Sequence, residues 1–176
     1  MGVNSGFLEK CQSNTHITLY QADPLIMTVD GVFSPQQCQE LIDFSHQFDY
    51  EFAPITINSK EGKSELRTDI RNNQRVIYDD VAFAQRIYAQ VKAFLPEDLF
   101  EWRVDGLNER FRFYLYEDGQ TFKPHFDGHY EVNDWHSSQL TLLIYLSEGF
   151  VGGETKFFNQ TRHMPIFSIQ PKMGQI

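Results

Sequence analysis

The sequence lacks any long hydrophobic run. Its longest apolar stretch lies at 140–146 and is interrupted by Thr141, whereas a helix needs about 20 apolar residues to cross a bilayer. The first residues contain no basic segment followed by an apolar stretch, and Gly6 stands where a myristoylation site requires Ser or Thr. These absences argue against insertion or lipid anchoring, and we expect a cytoplasmic protein that does not bind membranes.

Cysteine and positive charge are also scarce. Cys11 and Cys38 are the only cysteines; they are too few for a zinc site of their own, and in a cytoplasmic chain we expect free thiols. Asp and Glu outnumber Lys and Arg by 24 to 15, which gives a formal net charge of -9. Phosphate contacts need a basic face, so no nucleic-acid partner is expected. The basic stretch at 60–75 is diluted by acidic residues and predicts a solvated loop first and a substrate-contacting lid second.

Apolar and aromatic residues, in contrast, are plentiful. Hydrophobic residues make up 41% of the 176 and aromatic residues 15%, with Phe at 16 positions. Such a composition is typical of a folded domain with a substantial core. No internal repeat or linker divides the chain, so a single domain over residues 1–176 is expected.

Two helices are predicted in the N-terminal half. Ser34 can cap the first helix, Pro35 suits its first position, and Gln37 completes the spacing of a capping box. The second helix is expected to begin at 79–80, because apolar residues recur there at helical intervals until Pro96 ends the pattern.

Short strands are predicted along the whole chain and dominate its second half. They are separated by turn signals rich in Gly, Pro, Asp and Ser. The predicted strands lie at 25–29, 51–57, 110–116, 121–126, 139–146, 154–158 and 165–170, and polar loops are expected at 58–68 and 133–138. The fold class is therefore predicted to be mainly β (α+β), with helices outside an antiparallel barrel or sandwich.

One pair of residues points to metal chemistry. Side chains two apart in a strand face the same side, so His125 and Asp127 could offer an imidazole nitrogen and a carboxylate oxygen to one ion. Two His and one carboxylate on one face, with other positions open, is the arrangement that non-haem Fe(II) oxygenases use. By itself the pair is a weak signal, because a surface His beside a turn Asp is the plainer interpretation.

The surrounding motifs favour the metal-site interpretation of His125 and Asp127. In order, the chain contains R-x-Y-x-Y-x-x-G at 112–119, F-x-P-H-x-D at 122–127, T-L-L-I-Y-L at 141–146, G-G-E-T-x-F at 152–157 and P-K-x-G at 171–174. This ordered series resembles the prolyl 4-hydroxylase-like branch of the 2-oxoglutarate/Fe(II)-dependent dioxygenases. The resemblance implies a double-stranded β-helix (jelly roll) with supporting helices near the N-terminal half.

The resemblance also implies roles for particular residues. His125 and Asp127 match metal ligands, while Tyr116, Tyr145 and Thr155 match positions that line the 2-oxoglutarate pocket, with Tyr114 as the fallback for Tyr116. No catalytic residue is implied beyond the metal ligands. The implied cofactors are Fe(II), 2-oxoglutarate as co-substrate and O2, with ascorbate in support. A tyrosine in a β core more commonly serves packing, so that alternative stays open for each of these phenols.

Two family features have no match in the sequence. The family places a second His ligand, and a basic residue that binds the distal carboxylate of 2-oxoglutarate, after the P-K-x-G turn. Here that turn contains Lys172, which is not at the position of the base, and is followed by 175–176 alone. His163 precedes the turn and does not match the ligand, and His129 and His136 are expected to be loop histidines. The oxygenase domain is therefore expected to be C-terminally incomplete.

The function predicted by resemblance is hydroxylation of a C–H bond with release of succinate and CO2. A prolyl residue is the first substrate suggested, while free amino acids and other small molecules remain open, and so does the oligomeric state. For the 176-residue chain itself inactivity is expected rather than activity. Two alternatives belong to other classes: a non-catalytic binding protein that retains the barrel, and a cupin-like metal-binding protein that does not use 2-oxoglutarate.

Overall fold

The computed structural model describes residues 15–22, 24–58, 63–99, 101–159 and 164–176. Cys11 and His163 lie outside the described residues, as does the start of the basic stretch at 60–75. The elements in chain order are β1 His16–Ala22, β2 Leu25–Asp30, α1 Pro35–Ser45, β3 Glu51–Phe52, β4 Ile55–Asn58, β5 Lys63–Glu65, β6 Gln74–Asp79, α2 Val81–Val91, a 3-10 turn Lys92–Phe94, β7 Asp98–Leu99, β8 Trp102–Arg103, β9 Arg110–Leu115, β10 Glu131–Asn133, β11 His136–Ser137, β12 Thr155–Phe158 and β13 Pro165–Ile169. Within these ranges, no helix is long and apolar enough to cross a bilayer.

Both predicted helices are confirmed, together with the cap predicted at Ser34. The Ser34 hydroxyl accepts a hydrogen bond from the Gln37 N–H at 3.2 Å, and the Gln37 side chain accepts one from the Ser34 N–H at 2.8 Å. The Asp80 carboxylate accepts from the Phe83 N–H at 2.7 Å and so begins α2. Each cap satisfies a backbone donor that the helix itself leaves without a partner. The second helix ends at Val91, before the proline that was expected to end it, and its last turn tightens into the 3-10 turn.

The main core lies between the two helices, β2 and the segment 174–176. Its fully buried apolar residues are Val29, Val32, Phe33, Cys38, Leu41, Phe83, Ile87, Val91 and Ile176. The Val29 and Ile176 backbones exchange hydrogen bonds of 2.9 and 3.1 Å, and the Gly174 N–H donates to the Tyr145 carbonyl at 2.8 Å. Segment 174–176 therefore joins β2 to the segment around Tyr145. Cys38 is a free thiol as expected, and burial raises its pKa to about 11.

All described strand pairs are antiparallel. The largest sheet has the order β3-β6-β9, and Arg75 of β6 lies opposite Tyr114 of β9. Two-stranded pairs are formed by β1–β2, β4–β5, β7–β8, β10–β11 and β12–β13. A mainly β chain with two helices is thus confirmed, although the hydrogen bonds among the described strands do not close a barrel.

The predicted strand at 121–126 is wrong. An isolated bridge between Arg71 and Phe122 is present there, formed by hydrogen bonds from the Lys123 N–H to the Ile70 carbonyl at 3.0 Å and from the Asn72 N–H to the Thr121 carbonyl at 3.2 Å. Pro124 has no N–H to offer a ladder, which is one physical reason why the pairing stops. His125 and Asp127 therefore do not share a strand.

Other predicted boundaries also need correction. Segment 139–146 is not a strand, because its described backbone pairing is confined to Tyr145, which bonds to segment 174–176. Segment 51–57 is divided by Ala53 and Pro54 into β3 and β4, and the predicted loop 58–68 contains β5. The predicted loop 133–138 contains the hairpin turn between β10 and β11.

Candidate metal centre

His125 and Asp127 bring their ligand atoms together without the help of a strand. Their Nε2 and Oδ1 atoms lie 3.2 Å apart, and both side chains are about half exposed. Two ligands at right angles, each about 2.1 Å from a metal ion, would lie about 3.0 Å apart. The spacing of the pair therefore fits neighbouring ligands of one octahedral ion.

The atoms that face away from the candidate metal position, His125 Nδ1 and Asp127 Oδ2, also have hydrogen-bond partners. The Nδ1 atom of His125 lies 2.9 Å from the Lys123 carbonyl, and the Thr141 hydroxyl donates to Asp127 Oδ2 at 2.9 Å. An imidazole that donates from Nδ1 presents the lone pair of Nε2 to a metal, and such outer contacts commonly fix the orientation of ligands. The donor set and its supports therefore fit Fe(II).

Electrostatics couple the two side chains. The hydrogen bond with Asp127 raises the pKa of His125 against the opposing effect of burial. The same contact lowers the pKa of Asp127, again against burial, and the Thr141 hydroxyl lowers it further. A proton and a divalent cation consequently compete for the same two atoms.

The His125 ring is also part of a stack. It lies on the Phe122 ring with centroids 3.6 Å apart and planes 17° from parallel. The guanidinium carbon of Arg71 lies 4.2 Å from the centroid of Phe122 and 4.5 Å from that of Tyr114. Arg71 is 5% exposed, and it is the residue of this neighbourhood that the sequence prediction did not find.

The predicted pocket residues occupy two neighbourhoods. Burial raises the pKa of the Tyr116 phenol, and the positive charge of nearby Arg71 opposes that rise. The Tyr145 hydroxyl lies 2.6 Å from the Thr155 hydroxyl, so these two predicted residues contact each other. Thr141, four residues before Tyr145, connects the same stretch of chain to Asp127. That all three line a 2-oxoglutarate pocket stays a prediction.

The two predicted loop histidines, His129 and His136, have carboxylate partners of their own. His129 Nε2 lies 2.9 Å from Glu131, and His136 Nε2 lies 3.7 Å from Asp105. In the part of the chain that the structure describes, no group of three His, Cys, Asp or Glu side chains converges. Lys172 is paired with Asp30 at 2.7 Å.

Parts of the chain are similar to known oxygenases. Residues 111–176 match the family described as the 2OG-Fe(II) oxygenase superfamily. "Probable prolyl 4-hydroxylase 6" of Arabidopsis thaliana is 29% identical over 150 residues, covering 82% of this chain and 49% of the relative. "Probable prolyl 4-hydroxylase 7" of the same plant is 26% identical over 150 residues, covering 81% and 44%. No solved structure matches significantly.

The chain spans about half the length of these curated relatives. The matched family segment begins within β9 and contains the His125–Asp127 pair with its supporting residues. Residues 111–176 are therefore similar to the 2OG-Fe(II) oxygenase superfamily, and most of the chain is similar to the two plant proteins named as probable prolyl 4-hydroxylases.

Proposed function

We propose that this protein is an Fe(II)- and 2-oxoglutarate-dependent oxygenase that hydroxylates a C–H bond and releases succinate and CO2. The observation that carries the proposal is the 3.2 Å approach of His125 Nε2 to Asp127 Oδ1. Bound iron would supply the activation of O2 that hydroxylation of an unactivated C–H bond requires.

The residues of the chain have distinct parts in this proposal. His125 and Asp127 hold the metal, while the Lys123 carbonyl and the Thr141 hydroxyl orient them. Tyr116, Tyr145 and Thr155 line the pocket of the co-substrate. The fold proposed for these parts is a double-stranded β-helix, which the family match over 111–176 and the mainly β content support.

The proposed substrate is a prolyl residue. Its support is the similarity of the chain to two Arabidopsis thaliana proteins named as probable prolyl 4-hydroxylases. Fold and family do not by themselves fix a substrate, so free amino acids and other small molecules belong in the same screen.

Succinate release tests the activity directly. The full-length protein is incubated with Fe(II), 2-oxoglutarate, ascorbate and proline-containing peptides, beside His125→Ala and His129→Ala. The two histidines form a matched pair, because each is exposed and each contacts a carboxylate two residues later. Succinate release should be lost in His125→Ala and retained in His129→Ala.

Two results would overturn the proposal. The first is undiminished succinate release by His125→Ala. The second is tight metal binding by the full-length protein that 2-oxoglutarate does not alter, with no succinate formed, which would indicate a cupin-like metal-binding protein.

A further inference from the structure

Arg71 is a buried cation without an acidic partner in the described part of the chain. Its Nε donates to the side-chain oxygen of Asn73 at 2.8 Å, and its Nη2 has no hydrogen-bond acceptor among the described residues. Asn73 is itself fully buried and donates to the Gln74 carbonyl at 2.9 Å. The guanidinium is therefore anchored from one edge at the start of β6. Burying a charge without an acidic partner costs free energy. The other contacts of Arg71 should therefore show what its charge and shape are used for.

The guanidinium carbon lies over two aromatic rings, 4.5 Å from the centroid of Tyr114 on β9 and 4.2 Å from that of Phe122. Arg71 is also close enough to the Tyr116 phenol to lower its pKa, against the rise that burial causes. Phe122 in turn lies on the His125 imidazole at 3.6 Å. These contacts link four planar groups in series, here called the Arg71 stack: Tyr114, Arg71, Phe122 and His125. The Arg71 stack extends from β9 of the three-stranded sheet to the candidate metal ligand His125.

The Arg71 stack orients His125 in a segment, 121–127, whose backbone forms no strand. His125 and Asp127 lie outside any strand, on a segment without a fully buried residue. The hydrogen bond between His125 Nδ1 and the Lys123 carbonyl fixes the rotation of the imidazole in its plane. Contact with Phe122 fixes the plane itself, and Phe122 is fixed by Arg71. A site binds its metal more tightly when the rotation of a ligand ring and the orientation of its plane are both fixed before the metal binds.

We propose that Arg71 is a positioning residue, which orients the His125 imidazole for metal binding through the ring of Phe122. The inference rests on the proposed function, since it takes His125 as a metal ligand. A guanidinium suits the position because it is planar and stacks between rings, whereas a lysine ammonium is a compact charge without a plane.

The test is Co2+ affinity, measured by calorimetry and by the visible absorption of bound Co2+, on the full-length protein. Arg71→Lys retains the charge but not the plane, and Phe122→Leu removes the ring that transmits the contact. Each is expected to weaken Co2+ binding about tenfold, in line with the loss of an outer-shell support. Phe122→Tyr retains the ring and should bind Co2+ with the affinity of the wild type.

Arg75→Lys is the matched control. Arg75 lies opposite Tyr114 in the register of β6 and β9 and is partly buried. Its substitution should change the affinity less than twofold. Melting temperatures of all variants are recorded, so that loss of folding is separated from loss of affinity.

The double variant Arg71→Lys/Phe122→Leu decides whether Arg71 acts through Phe122. If it does, the double variant binds Co2+ no more weakly than Phe122→Leu alone, because residues that act in series are not additive. Wild-type affinity in folded Arg71→Lys, or losses that multiply in the double variant, would overturn the inference. His125→Ala separates this from the proposed function: if that variant retains Co2+ affinity, the proposed function itself fails.

Discussion

The segment that carries the metal pair differs from the part of the molecule that surrounds the two helices. Around α1 and α2, side chains such as Phe33, Ile87 and Val91 are almost completely buried. Between Lys92 and Ser168, in contrast, the described residues include no fully buried side chain. The first region is specified by apolar volume and the second by polar atoms that contact one another. The candidate metal site is therefore located where packing constrains the chain least, and hydrogen bonds and the Arg71 stack hold its residues in place of a core.

The largest expected effect contrasts two phenylalanines from these regions. Phe83 is 1% exposed and Phe126 is 78% exposed. Phe83→Ala leaves a cavity and should lower the free energy of unfolding by about 3–5 kcal/mol, while Phe126→Ala should change it by about 0.5 kcal/mol or less. Urea denaturation measures both. Equal losses would contradict the contrast between a packed region and an exposed one.

A second contrast concerns two glycines with nearly the same backbone conformation. Gly174 has φ +79° and Gly119 has φ +78°, but a Cβ on Gly174 would lie 1.9 Å from the Phe33 carbonyl oxygen, whereas one on Gly119 meets nothing within 4 Å. Gly174→Ala should therefore cost about 3 kcal/mol or more, from strain plus overlap, and Gly119→Ala about 1–2 kcal/mol. Thermal or urea unfolding of the two variants checks the order. A cost at Gly119 equal to that at Gly174 would show that Gly174 is not tightly packed against Phe33, in the connection between β2 and α1.

The smallest contrast is between the two helix caps, and it depends on pH. Ser34→Ala and Asp80→Ala should each cost about 1 kcal/mol at neutral pH. Hydrogen bonds from Tyr78 and from the Phe83 N–H lower the pKa of Asp80, against burial. Its folded pKa lies below the unfolded value of about 3.9, so its stabilising effect is present above about pH 4 and is lost as the pH falls through the folded pKa. The cost of Asp80→Ala should shrink in acid while that of Ser34→Ala persists. Parallel pH dependences of the two costs would contradict this assignment.

How well the sequence predicts the fold depends on how local the cause is. The caps at Ser34 and Asp80 were predictable because each acts on a backbone donor three residues away. The segments 121–126 and 139–146 have the composition of strands, but a strand also needs a partner along its length, and composition does not reveal one.

The candidate site also contains residues with local sequence signals and one residue without such a signal. His125 and Asp127 are two residues apart and lie inside an ordered motif series, so the sequence alone singles them out as candidate ligands. Arg71 was missed because it reaches Phe122 and His125 from a distant part of the chain, and the polar stretch around it is typical of an exposed loop. Long-range stacking of this kind leaves no periodic signal in a single sequence.

The central claim is that His125 and Asp127 hold a metal ion, and a Co2+ titration of two carboxylate variants tests it most directly. Asp127 and Glu131 each contact a histidine two residues earlier, at 3.2 and 2.9 Å. We expect Asp127→Ala to weaken Co2+ binding at least about tenfold, and Glu131→Ala to bind as the wild type does. Equal affinities of the two variants for Co2+ would contradict the account, because the metal would then be held elsewhere or not at all.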